Sequence, residues 1–317
     1  MKVLVADKFE KSGLEGLRAL GCEVLSEPDL KDEVLDTRLK ESKAPILIVR
    51  STKVTEQMIE GSSLRLIIRA GAGYNTIDTV AASTHGVYVC NCPGKNAAAV
   101  AELAMGLILA IDRKIPENVQ EFRAGKWNKK EFSKARGVAG ETLGLVGLGN
   151  IGREMIARAH AFGMKVIAHS HHTPPDEANR LGIEVVSLKD LAQRSSIVSV
   201  HCALNPTTKG LLDADFFSDL APGTIFVNTS RSEVVVESAL IEAIERGILA
   251  GLDVFDNEPT SGDGDVASPL QGLSGAYVTH HIGASTNQAQ EAVASETVRI
   301  VQEFLTGANP PNAVNSV

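Results

Sequence analysis

Three polar residues follow short apolar runs late in this sequence: Arg231 after 225–230, Glu258 after 252–257 and His281 after 276–280. Their types suit one chemistry, removal of a hydroxyl proton from a secondary alcohol while hydride leaves the same carbon. A histidine side chain titrates close to neutrality and can carry that proton. A neighbouring carboxylate favours the imidazolium and fixes the tautomer and the ring orientation. An arginine offers a planar, permanently charged fork for a carboxylate or carbonyl oxygen. Each alone has an ordinary structural reading, as a solvated arginine, a loop glutamate or a capping histidine. Together they form a constellation that needs a hydride partner.

The signature of that partner lies upstream. Gly147, Gly149 and Gly152 give the spacing G-x-G-x-x-G after an apolar run at 143–146. Met155, Ile156, Ala159 and Phe162 then recur at helical spacing, and a second apolar run follows at 165–170. The first glycine makes the tight turn, the second lets backbone approach a pyrophosphate, and the third lets the helix sit close to the strand. Helix N–H groups and the positive end of the dipole then face the phosphates. In a chain with 28 glycines the bare spacing is weak, but set between strand and helix it points to dinucleotide binding.

The elements that position these groups alternate between strand and helix. Residues 2–6, 23–25, 46–49, 65–68 and 87–90 are strand-like, and 14–20, 32–40, 56–59 and 76–83 are helix-like. Such alternation implies a parallel sheet with helices on both faces. Two glycines at 71 and 73 follow the fourth strand, at the carboxyl end where open α/β sheets bind ligands; a plain βα turn is the alternative. A long apolar helix is expected over 96–113, then a polar stretch over 114–141 holding the only tryptophan, Trp127. Beyond the glycine turn, strands are expected at 183–186, 197–200, 225–228, 250–254 and 276–279, and helices at 188–194, 213–218 and 237–246. The segment 261–266 reads as a polar loop, and a final helix over 288–305 is expected to return to the first domain. The fold class is therefore α/β, with two doubly wound, Rossmann-like parallel-sheet domains. The first is discontinuous (1–98 and 288–317) and the second spans 99–287.

Composition narrows the function. Apolar residues make up 44 % of the chain and charged residues 22 %, the balance of a globular protein. A net charge of −8 argues against nucleic-acid binding by bulk electrostatics. No run reaches the roughly 18 apolar residues of a membrane span. The N-terminus reads as a first strand rather than a signal peptide. Cys22, Cys90, Cys92 and Cys202 suit neither a zinc knuckle nor a redox C-x-x-C, and read as buried thiols in a reducing cytoplasm. His169, His171 and His172 alternate faces with no carboxylate or cysteine beside them, so no metal site is expected.

Over nearly its whole length the sequence resembles the D-2-hydroxyacid dehydrogenases. The resemblance is carried by Arg69-Ala-Gly-Ala-Gly73, Gly147 to Gly152, Asn228-Thr-Ser-Arg231, Gly251-Leu-Asp-Val-Phe255 with Glu258-Pro259, and His281-Ile-Gly-Ala-Ser-Thr286. Within the family it looks most like the short D-3-phosphoglycerate dehydrogenases, since it ends at Val317 without a further regulatory domain. The resemblance implies oxidation of 3-phosphoglycerate to 3-phosphohydroxypyruvate in serine biosynthesis, with NAD as cofactor. It makes His281 the acid/base paired with Glu258, and Arg231 the group that binds the C2 oxygen and carboxylate. Ala72 and Gly73 would hold the carboxylate through backbone amides, and Arg50 and Arg69 would meet a phosphate unless they form ordinary ion pairs. The implied cofactor set is Gly147, Gly149, Asn150, Ile151, Gly152, Ser170, His171, His201, Thr229 and Asp253, with Asp253 at the nicotinamide carboxamide. The first domain would bind substrate, the second the dinucleotide, and a homodimer is expected through the apolar helix and Trp127.

Some positions depart from the family pattern. Ser170 stands where a carboxylate usually accepts from the ribose hydroxyls, so NADP(H) use stays open, although no arginine or lysine flanks it. Ser232 and His280 replace a usual glycine and proline. Two other readings remain: a reductase of glyoxylate, hydroxypyruvate or another small 2-oxo acid, and a cofactor-sensing binding protein on the same fold.

Overall fold

The computed structural model describes residues 1–259 and 264–317. It divides into two compact units, Met1–Ala97 with Ala284–Val317, and Ala98–Gly283. The first part of the expected polar loop, 261–263, lies outside the described residues.

The first unit alternates β1 (Lys2–Val5), α1 (Lys11–Ala19), β2 (Glu23–Ser26), α2 (Asp32–Ser42), β3 (Ile46–Val49), α3 (Glu56–Glu60), β4 (Leu66–Arg69), α4 (Thr79–Thr84) and β5 (Tyr88–Cys90). All five strands pair in parallel, in the order β2-β1-β3-β4-β5. Side chains alternate across a strand. Leu4, Leu47, Val49, Ile67 and Val89 therefore join one buried cluster, while Val3, Val5, Ile46, Ile48, Leu66 and Ile68 join the other. Burial on both faces explains why these strands read as unbroken apolar runs.

The second unit opens on α5 (Ala97–Asp112) and α6 (Ile115–Arg123). It continues through β6 (Thr142–Val146), α7 (Asn150–Ala161), β7 (Lys165–His169), α8 (Pro175–Leu181), β8 (Glu184–Val185), α9 (Leu188–Arg194) and β9 (Ile197–Val200). It closes with α10 (Ala214–Ser218), β10 (Ile225–Asn228), α11 (Glu237–Glu245), β11 (Leu249–Leu252) and β12 (Ala276–Val278). The seven strands are parallel in the order β12-β11-β10-β9-β6-β7-β8, so the winding reverses between β6 and β9. Two clusters again line the faces, one around Phe217 and Phe226 and one around Leu143, Met155 and Val227.

Two helices were not anticipated. The stretch 114–141 contains α6, with Pro116 in its first turn and no buried residue. Helix α8 likewise starts on Pro175 and buries only Ala178. Proline is tolerated at a helix start, and weak burial leaves little periodic signal. The long apolar helix contributes to the core of its own unit. Ala101, Ala104, Met105, Leu107, Ile108 and Ile111 of α5 are buried in the second unit's own core, with Leu103 and Leu109 packed against it, and Gly106 is exposed.

The final helix, α12 (Asn287–Leu305), belongs to the first unit and packs on α1. It delivers Val293, Ile300, Val301 and Phe304 to the cluster that holds Val3 and Ile48. Among the described residues no helix is long and apolar enough to cross a membrane. Cys22, Cys90 and Cys92 are buried and Cys202 partly so, and none is in a disulfide. Burial, with a smaller push from Cys92, raises the Cys90 thiol to about 12.

Candidate active site

The glycine turn sits at the carboxyl end of β6, beside the end of β9, where the winding of the sheet reverses. Gly147 has φ +99°, and a Cβ there would lie 2.6 Å from the amide N of Cys202. A Cβ on Gly152 would come within 2.5 Å of the Gly147 carbonyl oxygen. These two glycines are demanded by the chain's own packing. Gly149, the N-cap of α7, differs: a Cβ there would meet nothing within 4 Å, so its openness serves no contact inside the chain. Asn150 and Ile151 form the first turn of α7, which carries no acidic residue to repel an anion.

Two buried polar atoms near this edge have no partner among the described residues, His201 Nδ1 and Thr229 Oγ1. His201 follows β9 and its Nε2 lies 2.9 Å from Ser199 Oγ; burial pushes its pKa down to about 3, so the ring is neutral. Thr229 directly follows β10. An open glycine, an acid-free helix start and orphaned polar atoms fit a bound dinucleotide. Ser170, past the end of β7, bonds Thr173 Oγ1 at 2.8 Å, and no carboxylate stands between 169 and 175. His171 is exposed and packs edge-on against His169 at 4.8 Å. Among the described residues no group of three or more His, Cys, Asp or Glu is placed to hold a metal.

Two of the three predicted catalytic residues meet. His281 Nδ1 lies 2.7 Å from Glu258 Oε2, and the other carboxylate oxygen accepts from Phe255 N–H at 3.1 Å. Both atoms stand on loops past the carboxyl ends of β11 and β12. The side chain of His281 is 51 % exposed, so its other nitrogen is accessible. His281 also has φ +51°, a left-handed conformation that costs a non-glycine residue roughly 1–2 kcal/mol. Asp253, 1 % exposed, holds this loop in place. Its Oδ1 accepts from Thr279 Oγ1 at 2.6 Å and Ile282 N at 2.9 Å, its Oδ2 from Gly283 N at 2.8 Å, and its carbonyl from His281 N at 2.9 Å. That engagement was not foreseen, because its partners lie nearly thirty positions away.

Arg231 follows β10 on a turn ordered by Asn228. The Asn228 side chain accepts from Ser230 N at 3.0 Å and donates to the Arg231 carbonyl at 3.0 Å. Arg231 itself donates to the Ser230 carbonyl at 2.7 Å.

The remaining candidates stand on the first unit. Arg50 follows β3 at the point where that sheet reverses, between β1 and β3. Asp7, past the end of β1, gathers this turn: its Oδ2 accepts from the amides of Arg50, Ser51 and Thr52 at 2.6, 3.1 and 3.1 Å. Asp7 carried no motif and was missed. Arg69 ends β4, and Ala72 and Gly73 follow it. Gly71 has φ +154° here, a backbone conformation that L side chains rarely adopt. Its carbonyl accepts from Cys92 N at 2.8 Å, and that of Ala72 from Asn91 Nδ2 at 2.5 Å.

Comparison with known proteins identifies the lineage. Residues 105–283 match the D-isomer specific 2-hydroxyacid dehydrogenase, NAD binding domain. The chain is 41 % identical over 280 residues to hydroxypyruvate reductase of Thermotoga maritima, covering 87 % of this chain and 89 % of that one. It is 35 % identical over 320 residues to D-3-phosphoglycerate dehydrogenase of Methanocaldococcus jannaschii, covering 99 % of this chain but spanning only 59 % of that relative. The NAD+-bound 3-phosphoglycerate dehydrogenase of Entamoeba histolytica superposes with a TM-score of 0.83 at 26 % identity, covering 100 % of this chain and 99 % of that one. This chain belongs to the D-isomer specific 2-hydroxyacid dehydrogenases.

Proposed function

We propose that this chain interconverts a D-2-hydroxy acid and its 2-oxo acid, with 3-phosphoglycerate and 3-phosphohydroxypyruvate as the leading pair. The observation that carries the reading is the His281–Glu258 contact at 2.7 Å. Gly147 to Gly152 would hold NAD(H), which when bound would supply or accept the hydride at C2. His281 takes the proton from the C2 hydroxyl in oxidation and returns it in reduction. Glu258, accepting from Nδ1–H, leaves Nε2 to do this and stabilises the imidazolium. Arg231 binds the C2 oxygen and the carboxylate as a planar cation. The amides of Ala72 and Gly73 bind the carboxylate, and Arg50 and Arg69 the phosphate. General acid–base help of this kind is worth roughly 10²–10⁴-fold in rate.

Reduction of hydroxypyruvate or glyoxylate is the second reading. It is favoured by the hydroxypyruvate reductase relative, which matches this chain nearly end to end. We also assign a homodimer through the second unit. Ile115, Val119 and Phe122 of α6 are exposed, and Trp127, which lines one hollow with Phe122, is 82 % exposed.

The test is a panel of 3-phosphohydroxypyruvate, hydroxypyruvate, glyoxylate and 2-oxoglutarate, each with NADH and NADPH, on the wild type and His281→Gln. Fast turnover of the phosphorylated acid, lost in His281→Gln while NADH still binds, supports the leading reading. Activity on unphosphorylated acids alone moves the assignment to the second reading and removes Arg50 and Arg69 from it. Bound NADH without turnover of any acid refutes the enzyme.

A further inference from the structure

Strand β5 is an edge strand of the first unit's sheet, and residues 309–315 lie along its free side. Cys90 and Ala313 form an antiparallel bridge, Val314 N donates to the Val89 carbonyl at 2.8 Å, and Asn91 N donates to that of Asn312 at 3.4 Å. Three asparagines spaced three apart fasten this tail. Asn309 Oδ1 accepts from the Tyr88 hydroxyl at 2.9 Å, Asn312 Nδ2 donates to buried Glu296 at 2.7 Å, and Asn315 Oδ1 accepts from Val89 N at 2.7 Å.

What the tail secures is the end of β5, from which two donors reach the loop after β4. Cys92 N binds the Gly71 carbonyl at 2.8 Å, and the Nδ2 of Asn91, a residue only 7 % exposed, binds that of Ala72 at 2.5 Å. A trans peptide is planar, with its C=O and N–H pointing in opposite directions. Holding the Gly71 oxygen therefore aims the Ala72 N–H, and holding the Ala72 oxygen aims the Gly73 N–H.

We propose that Asn91 is a positioning residue for substrate, turning the peptide between Ala72 and Gly73 so that its N–H faces the substrate carboxylate. The tail at 309–315 keeps Asn91 in that place. This rests on the reading above that the loop binds the carboxylate.

The test compares Asn91→Ala, the isosteric Asn91→Asp, and Asn312→Ala in the tail, each for kcat, KM of the preferred 2-oxo acid, Kd of NADH and Tm. An unpaired carbonyl and a misaimed amide should raise KM about 10-fold in both Asn91 variants, with kcat within about threefold and NADH affinity unchanged. Asn312→Ala should raise KM by about threefold, and by less than that when added to Asn91→Ala, because coupled sites are not additive. Unchanged KM in the Asn91 variants, with or without a fall in Tm, overturns the proposal, as does a loss confined to NADH affinity. A wild type that turns over no 2-oxo acid removes the underlying reading and this inference with it.

Discussion

Replacing Asp253 by asparagine separates two uses of one buried carboxylate. Resemblance to the family implies contact with the nicotinamide carboxamide, whereas the structure has both of its oxygens engaged by the His281 loop. Oδ1 takes Thr279 Oγ1 and Ile282 N, and Oδ2 takes Gly283 N at 2.8 Å. In Asp253→Asn one oxygen becomes an NH2 group that must face an N–H or O–H donor. Hydrogen bonds to a charged acceptor are worth roughly 1.5–3 kcal/mol. The left-handed conformation of His281 stores roughly 1–2 kcal/mol, which those bonds offset. Losing one of them lets the loop relax and moves His281 away from Glu258. At about 1.4 kcal/mol per decade, kcat should fall by roughly 10–100-fold. The assay is steady-state kcat beside an NADH fluorescence titration. If the carboxylate works through the loop, Kd for NADH stays within about threefold while kcat falls. A kcat within threefold of wild type would refute the reasoning, and a raised Kd with kcat preserved would return Asp253 to the cofactor alone.

Gly149→Ala should fold with an unchanged Tm, since a Cβ there meets nothing of the chain within 4 Å, yet on the proposed cofactor site weaken NADH binding by about 10-fold or more; Gly152→Ala, 2.5 Å from a backbone oxygen, should lose Tm as well. A thermal melt and an NADH titration on the pair distinguish these effects. Ser170→Asp should restore an acceptor for the ribose hydroxyls and repel a 2′-phosphate, cutting kcat/KM for NADPH by about 30-fold or more while sparing NADH. An unchanged NADPH/NADH ratio would show that the coenzyme's ribose does not meet this residue. Glu296 supplies a pH prediction: the Arg299 guanidinium, helped by Asn312 and Lys95, holds its carboxyl near 2 against an ordinary 4.5. A lowered native pKa means stability that is present above 4.5 and lost as pH falls toward 2, worth at most roughly 3 kcal/mol. Glu296→Gln should therefore lower Tm at neutral pH and flatten its fall between those values; a parallel acid transition in both proteins would refute this.

What could be read from the residues alone depended on how local each signal is. The strands were legible because both faces of each sheet are buried, which makes runs such as Ile46–Val49 continuously apolar. Gly147 and Gly152 were legible because their close approaches occur within one strand–turn–helix unit. Helix α6 was not, since a helix that buries nothing leaves no core-facing stripe, although Ile115, Val119 and Phe122 keep helical spacing. The type of each reactive residue is a local property, but its orientation is not. Asp7 gathers a turn more than forty positions away, Asp253 a loop nearly thirty away, and Asn91 a carbonyl nineteen away. None of those spacings is a motif, because each is set by which strands neighbour one another in a parallel sheet. Crossover connections make neighbours in space distant in sequence. In a fold of this kind the long-range contacts that hold a loop in place therefore lie beyond the reach of sequence reading, even where residue types such as His281 and Glu258 do not.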